Sequence, residues 1–217
     1  QKLSIFMDRE MIIDPANQSF SENHKLMIGS IVPRPIALVS TISKGNINNV
    51  APFSYFNGVC SNPPTIMFAP ARRGYDGKTK DTLNNIRETN EFAINIVSEE
   101  IVEPMVACST DYSDEVDEFK ISDFTPIQCD KILAPRVEES KVVFECKLNT
   151  IIEIGPSKPG GGFVVIGEIV LFHINDDVFK DGKIDLSSLN PVGRLSGNNY
   201  SRVFDSFEVK RQIKPTK

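Results

Sequence analysis

Arg34 stands between Pro33 and Pro35, directly ahead of the apolar, β-prone run Ile36–Ile42. The prolines exclude helix and remove much of the backbone's freedom, so a guanidinium is held at the mouth of a strand. Such a fixed fork suits a phosphate or a carboxylate, on a ligand or on a neighbouring surface side chain. Lys78 and Lys80 form a second cationic point, just before Asp81-Thr82 and the strongest helical signal of the chain. Free N–H groups and the positive end of a helix favour an anion there; simple capping by Asp81 or Thr82 is the competing role. The third component is residues 48–57, where small Ala51, Pro52 and Ser54 let backbone amides approach a ligand while Phe53, Tyr55 and Phe56 bring aromatic surface. A flat heterocycle needs polar groups at its edge and apolar cover on its faces, although single aromatics at such positions also serve as core. United by the fold, these three components suit an organic phosphate attached to a planar ring.

Other reactive residues are sparse. His173 follows the apolar strand Val164–Phe172, as a hydrogen-bonded core or rim histidine or as a site residue, and is the sole catalytic candidate. Glu168 interrupts that strand and is expected to face solvent. Cys60 lies near the small-residue loop, but with no neighbouring histidine it reads as a packed thiol rather than a nucleophile. Gly193-Arg-Leu-Ser-Gly-Asn-Asn-Tyr200 is either a turn or a ligand lid. There is no Ser-His-Asp order, Walker loop or Gly-x-Gly-x-x-Gly, and Gly160–Gly162 leads into a strand. Hydrolases and conventional dinucleotide-binding folds therefore lose ground. Four scattered cysteines without a Cys-x-x-Cys pair, and only two histidines, give no metal site.

Strands must position these side chains. β-rich runs cover Ile36–Ile42, Pro64–Phe68, Glu91–Val97, Val142–Ile154 and Gly162–Ile174, the last two joined by the turn material of Gly155–Gly162. Phe144, Cys146 and Leu148 alternate with Glu145 and Lys147, as a half-exposed antiparallel strand requires. Helix is expected over Thr79–Thr89, with Leu83 and Ile86 on one face, and over Ser98–Cys108; Ser109–Cys129 reads as a loop excursion, and the chain after Asp176 as a wrapping tail. Many short strands and few helices argue for a mainly β chain closing into an antiparallel barrel. The 217 residues fit one domain, 1–217. A formal net charge of −5, with both signs mixed along the chain, favours neither nucleic acid nor an anionic membrane. No apolar stretch approaches the roughly 20 residues that span a bilayer, and Asp8, Arg9 and Glu10 break a signal-peptide pattern. Four buried, reduced thiols in a cytoplasmic protein are expected, with one disulfide pair as the alternative.

With those segments in view, the chain resembles the flavin reductase-like family, in its flavoredoxin-type branch with an FMN-binding split β-barrel. Four motifs in order carry the resemblance: Pro33–Thr41; Asn49–Phe56 continuing to Pro63-Pro64; Lys80–Ile86 continuing to Phe92–Asn95; and Pro191–Gly197 with Tyr200. Pro135–Cys146 is similar as well. The resemblance implies a noncovalent FMN in a homodimer whose sites lie near the subunit interface. By it, Arg34, Lys80 and Thr82 would hold the phosphate; Thr41, Asn49, Ala51, Ser54 and Phe56 would line the ribityl chain and ring; Asn85 would support them; Arg194 and Tyr200 would close the site. Cys60 departs from the serine more usual there. The implied activity takes hydride from NAD(P)H and passes electrons to free flavin, a protein or a small acceptor. An electron carrier without nicotinamide activity and a non-catalytic flavin-binding dimer are the alternatives.

Overall fold

Ala37–Ile42 (β1) is buried on both faces, and its sequence is accordingly a near-continuous apolar run rather than an alternating one. Ala37 and Val39 enter one core, Leu38 and its neighbour Ile36 another. The computed structural model describes residues 10–113 and 115–211; Asp8, Arg9 and both ends of the expected 1–217 domain lie outside the described residues. The further strands are β2 (Asn48–Phe53), β3 (Phe56–Ser61), β4 (Pro64–Phe68), β5 (Glu91–Ile96), the short pair β6 (Pro126–Ile127) and β7 (Arg136–Val137), β8 (Val142–Ile154) and β9 (Gly162–Ile174). Small hairpins follow: β10 (Phe179–Lys180) with β11 (Lys183–Ile184), and β12 (Val192–Arg194) with β13 (Tyr200–Arg202).

Seven strands form one antiparallel sheet in the order β2-β1-β5-β8-β9-β4-β3. Its outermost strands, β2 and β3, are joined in sequence by Ser54 and Tyr55 alone. A two-residue link cannot span an open seven-stranded sheet, whose neighbouring strands lie about 4.8 Å apart. The sheet therefore curls until its edges meet at Ser54-Tyr55, giving a split barrel.

Inside, Phe53, Phe68 and Phe92 follow one another with ring centroids 5.1 and 5.5 Å apart. A Cβ on Gly167 would come within 2.5 Å of the Phe92 ring, so β9 carries a glycine where that ring crosses it. Leu83 and Ile86 of α2 (Asp81–Thr89) join this core, and Asn90, in the left-handed region at φ 60°, ends the helix. The second core lies outside β1, under α3 (Val102–Ala107) and α4 (Glu118–Ser122).

The helices depart from expectation in four places. Helix α1 (Phe20–Ser30) was not foreseen, although Ser19 and Glu22 form a capping box at its start. Ser98–Cys108 is a 3₁₀ turn, Glu99–Ile101, running into α3. The supposed loop Ser109–Cys129 contains α4, capped by the Asp117 carboxylate on the Phe119 N–H, and β6. The tail adds one short helix, α5 (Leu186–Leu189). Three cysteines are buried, but Cys60 is exposed on the edge strand β3, correcting the expectation of four buried thiols.

Candidate functional site

Arg34 is 4% exposed, and its fork is largely committed to the protein. Nη1 donates to the Ile28 and Ile31 carbonyls at 2.9 and 2.7 Å, Nη2 to the Leu195 carbonyl at 3.0 Å, and Nε to Ser54 Oγ at 3.3 Å. Of its five N–H donors one remains. Arg34 thus ties the end of α1 and the 195 loop to the barrel seam, and it lines the cleft there more as a brace than as an open clamp. Burial lowers its pKa and nearby Arg194 lowers it further, against the opposing effect of the Tyr55 phenol. Main-chain bonds also join Arg34 to Arg194, with N···O distances of 3.0 and 2.8 Å. A Cβ on the preceding Gly193 would lie 2.5 Å from that of Pro33, so the approach of β12 demands glycine.

Thr41, Asn49 and Thr82, expected to touch a ligand, and Asn85, expected to support them, bond to one another. Asn85 Nδ2 donates to Thr41 Oγ1 at 3.0 Å; Thr41 and Thr82 hydroxyls donate to Asn49 Oδ1 at 3.2 and 2.8 Å. Asn49 Nδ2 donates to Glu118 Oε2 at 2.5 Å, and that oxygen also accepts the Val50 N–H at 2.7 Å. Since the Val50 N–H points out from the edge of the sheet, Pro52, two residues on, occupies the next outward position, where its lack of an N–H leaves nothing unpaired. Burial pushes the Glu118 carboxyl up to about 7, opposed by the Val50 N–H bond; the Asp81 charge adds to the rise and Lys80 subtracts from it.

Among the clefts of the described residues that touch β2, three hold the cationic residues expected at the site. One of about 320 Å³ has apolar walls from Ile36, Pro52, Met105, Val106 and Tyr200. A second, of about 270 Å³, is lined by His24, Arg34, Ser54, Tyr55, Lys80 and Arg194. Ser54 and Arg194 belong to both. The third, about 20 Å³, lies among Asn49, Ala51, Lys80, Thr82 and Glu118, where Lys80 is paired with Asp111 at 2.7 Å. Arg194 stacks on Tyr200 with Cζ 4.5 Å from the ring centroid. The seam therefore brings together Arg34, Ala51, Ser54, Lys80, Thr82, Arg194 and Tyr200, with Thr41, Asn49 and Asn85 beneath them. Phe56 packs against the barrel core. The α2 amino end has no side-chain cap, since its cap position is Lys80.

His173 lies elsewhere, on β9 opposite Val143. Its Nε2 meets Glu145 Oε1 at 2.5 Å and Asp130 Oδ2 at 3.7 Å. Glu145 is fully buried and also accepts the Asp130 and Lys131 N–H groups at 2.8 and 2.7 Å. Burial alone would raise its pKa; the His173 bond and the two N–H bonds outweigh it and hold the carboxylate low. Glu145, expected on an exposed face, is covered by the 130 segment, whereas Glu168 does face solvent. Asp130, Glu145 and His173 offer three potential ligand atoms within 4.8 Å of one another, a grouping that cysteine and histidine spacing does not show.

Sequence reasoning missed His24 and Glu118, and took Tyr55 only as aromatic surface. Only Asp117, a cap residue directly before Glu118, marked that region. Together the split barrel, the cationic seam and the apolar cleft beside it offer space of a kind that suits an anionic, partly apolar ligand. Residues 28–188 match the model of the flavin reductase like domain, and the chain belongs to the flavin reductase-like family. Among solved structures it is similar to nitrilotriacetate monooxygenase component B from Bacillus cereus, at 33% identity and a TM-score of 0.89, covering 94% of this chain and 100% of that one. It is also similar to the 2-nitrobenzoate 2-nitroreductase of Pseudomonas fluorescens, at 30% identity and a TM-score of 0.83, covering 95% and 99%. The flavoredoxin of Desulfovibrio vulgaris follows at 25% identity and a TM-score of 0.70, covering 82% and 91%. No helix among the described residues is long and apolar enough to cross a membrane.

Proposed function

We propose that the protein binds FMN noncovalently at the barrel seam as a homodimer, accepts hydride from NAD(P)H and passes electrons to free flavin, a protein or a small acceptor. The observation that carries this reading is the pairing, along one edge strand, of an apolar cleft with a cationic one that shares Ser54 and Arg194 with it. Tyr55 lines the cationic cleft, and its hydroxyl is buried without a hydrogen-bond partner among the described residues, an unmet polar group beside the proposed ligand space. Ring cover would come from Ile36, Pro52, Met105 and Tyr200. Lys80 and Thr82 would take the phosphate, and for this Lys80 must leave Asp111, because the space there holds about one water as it stands. Arg34, Thr41, Asn49 and Asn85 keep these groups in place.

The flavin, once bound, supplies the hydride and single-electron chemistry. The chain's own task is to orient the ring, exclude water from one face and place positive charge nearby. The absorption spectrum of the purified protein, with mass analysis of the heat-released chromophore, tests the cofactor. Stopped-flow mixing with NADH and with NADPH tests the donor: bleaching by either supports a reductase. No bleaching by both, with reduction by dithionite intact, leaves an electron carrier, the reading that the likeness to a flavoredoxin favours.

A further inference from the structure

Glu118 is a buried carboxylate that hydride transfer to a flavin does not require. It opens α4, is 7% exposed, and lines the same small space as Lys80 and Thr82. Its bond to Asn49 fixes which way that amide points. With the amide nitrogen on Glu118, the Asn49 oxygen draws the protons of Thr41 and Thr82 inward, and Asn85 completes the chain. In this direction Thr82 offers a groove ligand only lone pairs, which a phosphate oxygen cannot use. The heavy-atom positions also serve the opposite direction, because an amide oxygen and nitrogen are nearly isosteric, and Glu118 Oε2 as a hydroxyl oxygen keeps a lone pair for the Val50 N–H. A carboxylic acid at Glu118 would donate to the Asn49 oxygen, the Asn49 nitrogen would donate to both threonine oxygens, the Thr41 hydroxyl would donate to the Asn85 oxygen, and the Thr82 proton would turn outward.

We propose that Glu118 is a positioning residue whose protonation reverses this hydrogen-bond chain and turns the Thr82 hydroxyl into a donor for the ligand's phosphate. The inference rests on the seam being the flavin site. Its charged surroundings agree with a group poised near neutrality. At the start of its own helix stands Asp117; from α2 come Asp81, Arg87 and Glu88, with Lys80 at its cap; from the loop before α4 come Asp111 and Glu115; from the β4–α2 loop comes Arg73. Burial holds the carboxyl near 7, while the neighbouring Cys108 thiol, pushed up to about 11, stays out of the range.

The test is the FMN dissociation constant of the full chain between pH 6.5 and 8.5, above the phosphate's own second ionisation near 6. With Glu118 near 7, one linked proton weakens binding about 25-fold over this range. In Glu118→Gln the side-chain oxygen accepts from both Asn49 and Val50, locking the inward direction, so the variant is expected to bind as weakly at pH 6.5 as the native protein does at pH 8.5. Thr82→Val should likewise lose the pH dependence. A glutamine variant that binds tightly at every pH would show simple charge repulsion and overturn the reversal; so would one that keeps the native profile. Calorimetry of the native protein at pH 7.5 in buffers of differing ionisation enthalpy needs no variant: uptake of a substantial fraction of a proton per flavin supports the inference, and zero uptake or release rejects it. If FMN binds at no pH to any of these proteins, the seam is not a flavin site and the inference falls with it, a result distinct from retained flavin with unaltered profiles.

Discussion

At the scale of the residue, burial has changed what two charged groups do. Arg34 has the setting of an anion clamp, yet four of its hydrogen bonds go to the protein's own oxygens. Bonds from charged donors contribute about 1.5–3 kcal/mol each, and deleting this side chain strands buried carbonyls. Arg34→Ala is therefore expected to destabilise the fold by about 2–4 kcal/mol, read as a lower urea midpoint in the flavin-free protein, with weaker FMN retention as a consequence. Unchanged stability with lost flavin would restore the direct phosphate role. Glu118 gives the second prediction. Its folded pKa of about 7 lies above the value of 4.5 that an unburied glutamate has, so the folded state keeps a proton that the unfolded chain has released. The contribution of this group is whole below pH 4.5 and is lost as pH rises through 7, a decline on the order of 3 kcal/mol. Glu118→Gln should remove that decline. Subtracting the variant's unfolding free energy from the native one across pH 4–8 isolates it, and a difference flat with pH would show that Glu118 titrates normally.

At the scale of the element, the site depends on segments far apart in sequence meeting where the barrel edges approach. Gly193 shows how little tolerance that meeting has. An alanine there sets a methyl group against Pro33, whose ring cannot swing aside. Gly193→Ala is expected to cost about 1–3 kcal/mol and to loosen the Arg34 brace, so flavin affinity should fall together with the melting temperature; a fall in neither would mean that β12 is free to shift. The same dependence on assembly explains what the sequence disclosed. Strands β1, β8 and β9, the core face of α2 and the seam residues Ser54, Lys80 and Arg194 were legible because periodicity, prolines and ordered motifs are local signals. The edge strand β2 read as an irregular strand within a ligand loop, since Pro52 and its small neighbours look like turn material until a sheet edge excuses the missing N–H. Glu118 and α4 were illegible because a five-residue helix has no period. The inward turn of Thr41, Asn49 and Asn85 is likewise a property of contacts 8, 33, 44 and 69 residues apart. The pairing of His173 with buried Glu145, whose carboxylate also holds the 130 segment, in the same way joins residues 28 apart and left no local signal.

At the scale of the whole molecule, α1 is unfinished within one chain. None of its eleven residues is buried, and an isolated helix of that length is marginal in water. Its capping box, the Arg34 bonds to the Ile28 and Ile31 carbonyls and the contact of Phe20 with Gly160 hold it in place. They leave Leu26, Met27, Ile31 and Val32 between 43% and 53% exposed, a run of apolar surface that a second copy of the chain would cover. His24 and Ile28 of the same helix line the cationic cleft, so covering α1 also steadies one wall of the proposed flavin site. The native protein is accordingly expected to sediment as a dimer. Replacing Met27 and Ile31 together by glutamate should give monomers and weaken FMN retention by about tenfold, since a charge at each buried apolar contact is penalised by more than 1.4 kcal/mol. The two readouts must move together: a double variant that remains dimeric and yellow would place the interface on another surface, and a monomer with full flavin affinity would show that α1 needs no partner to complete the site.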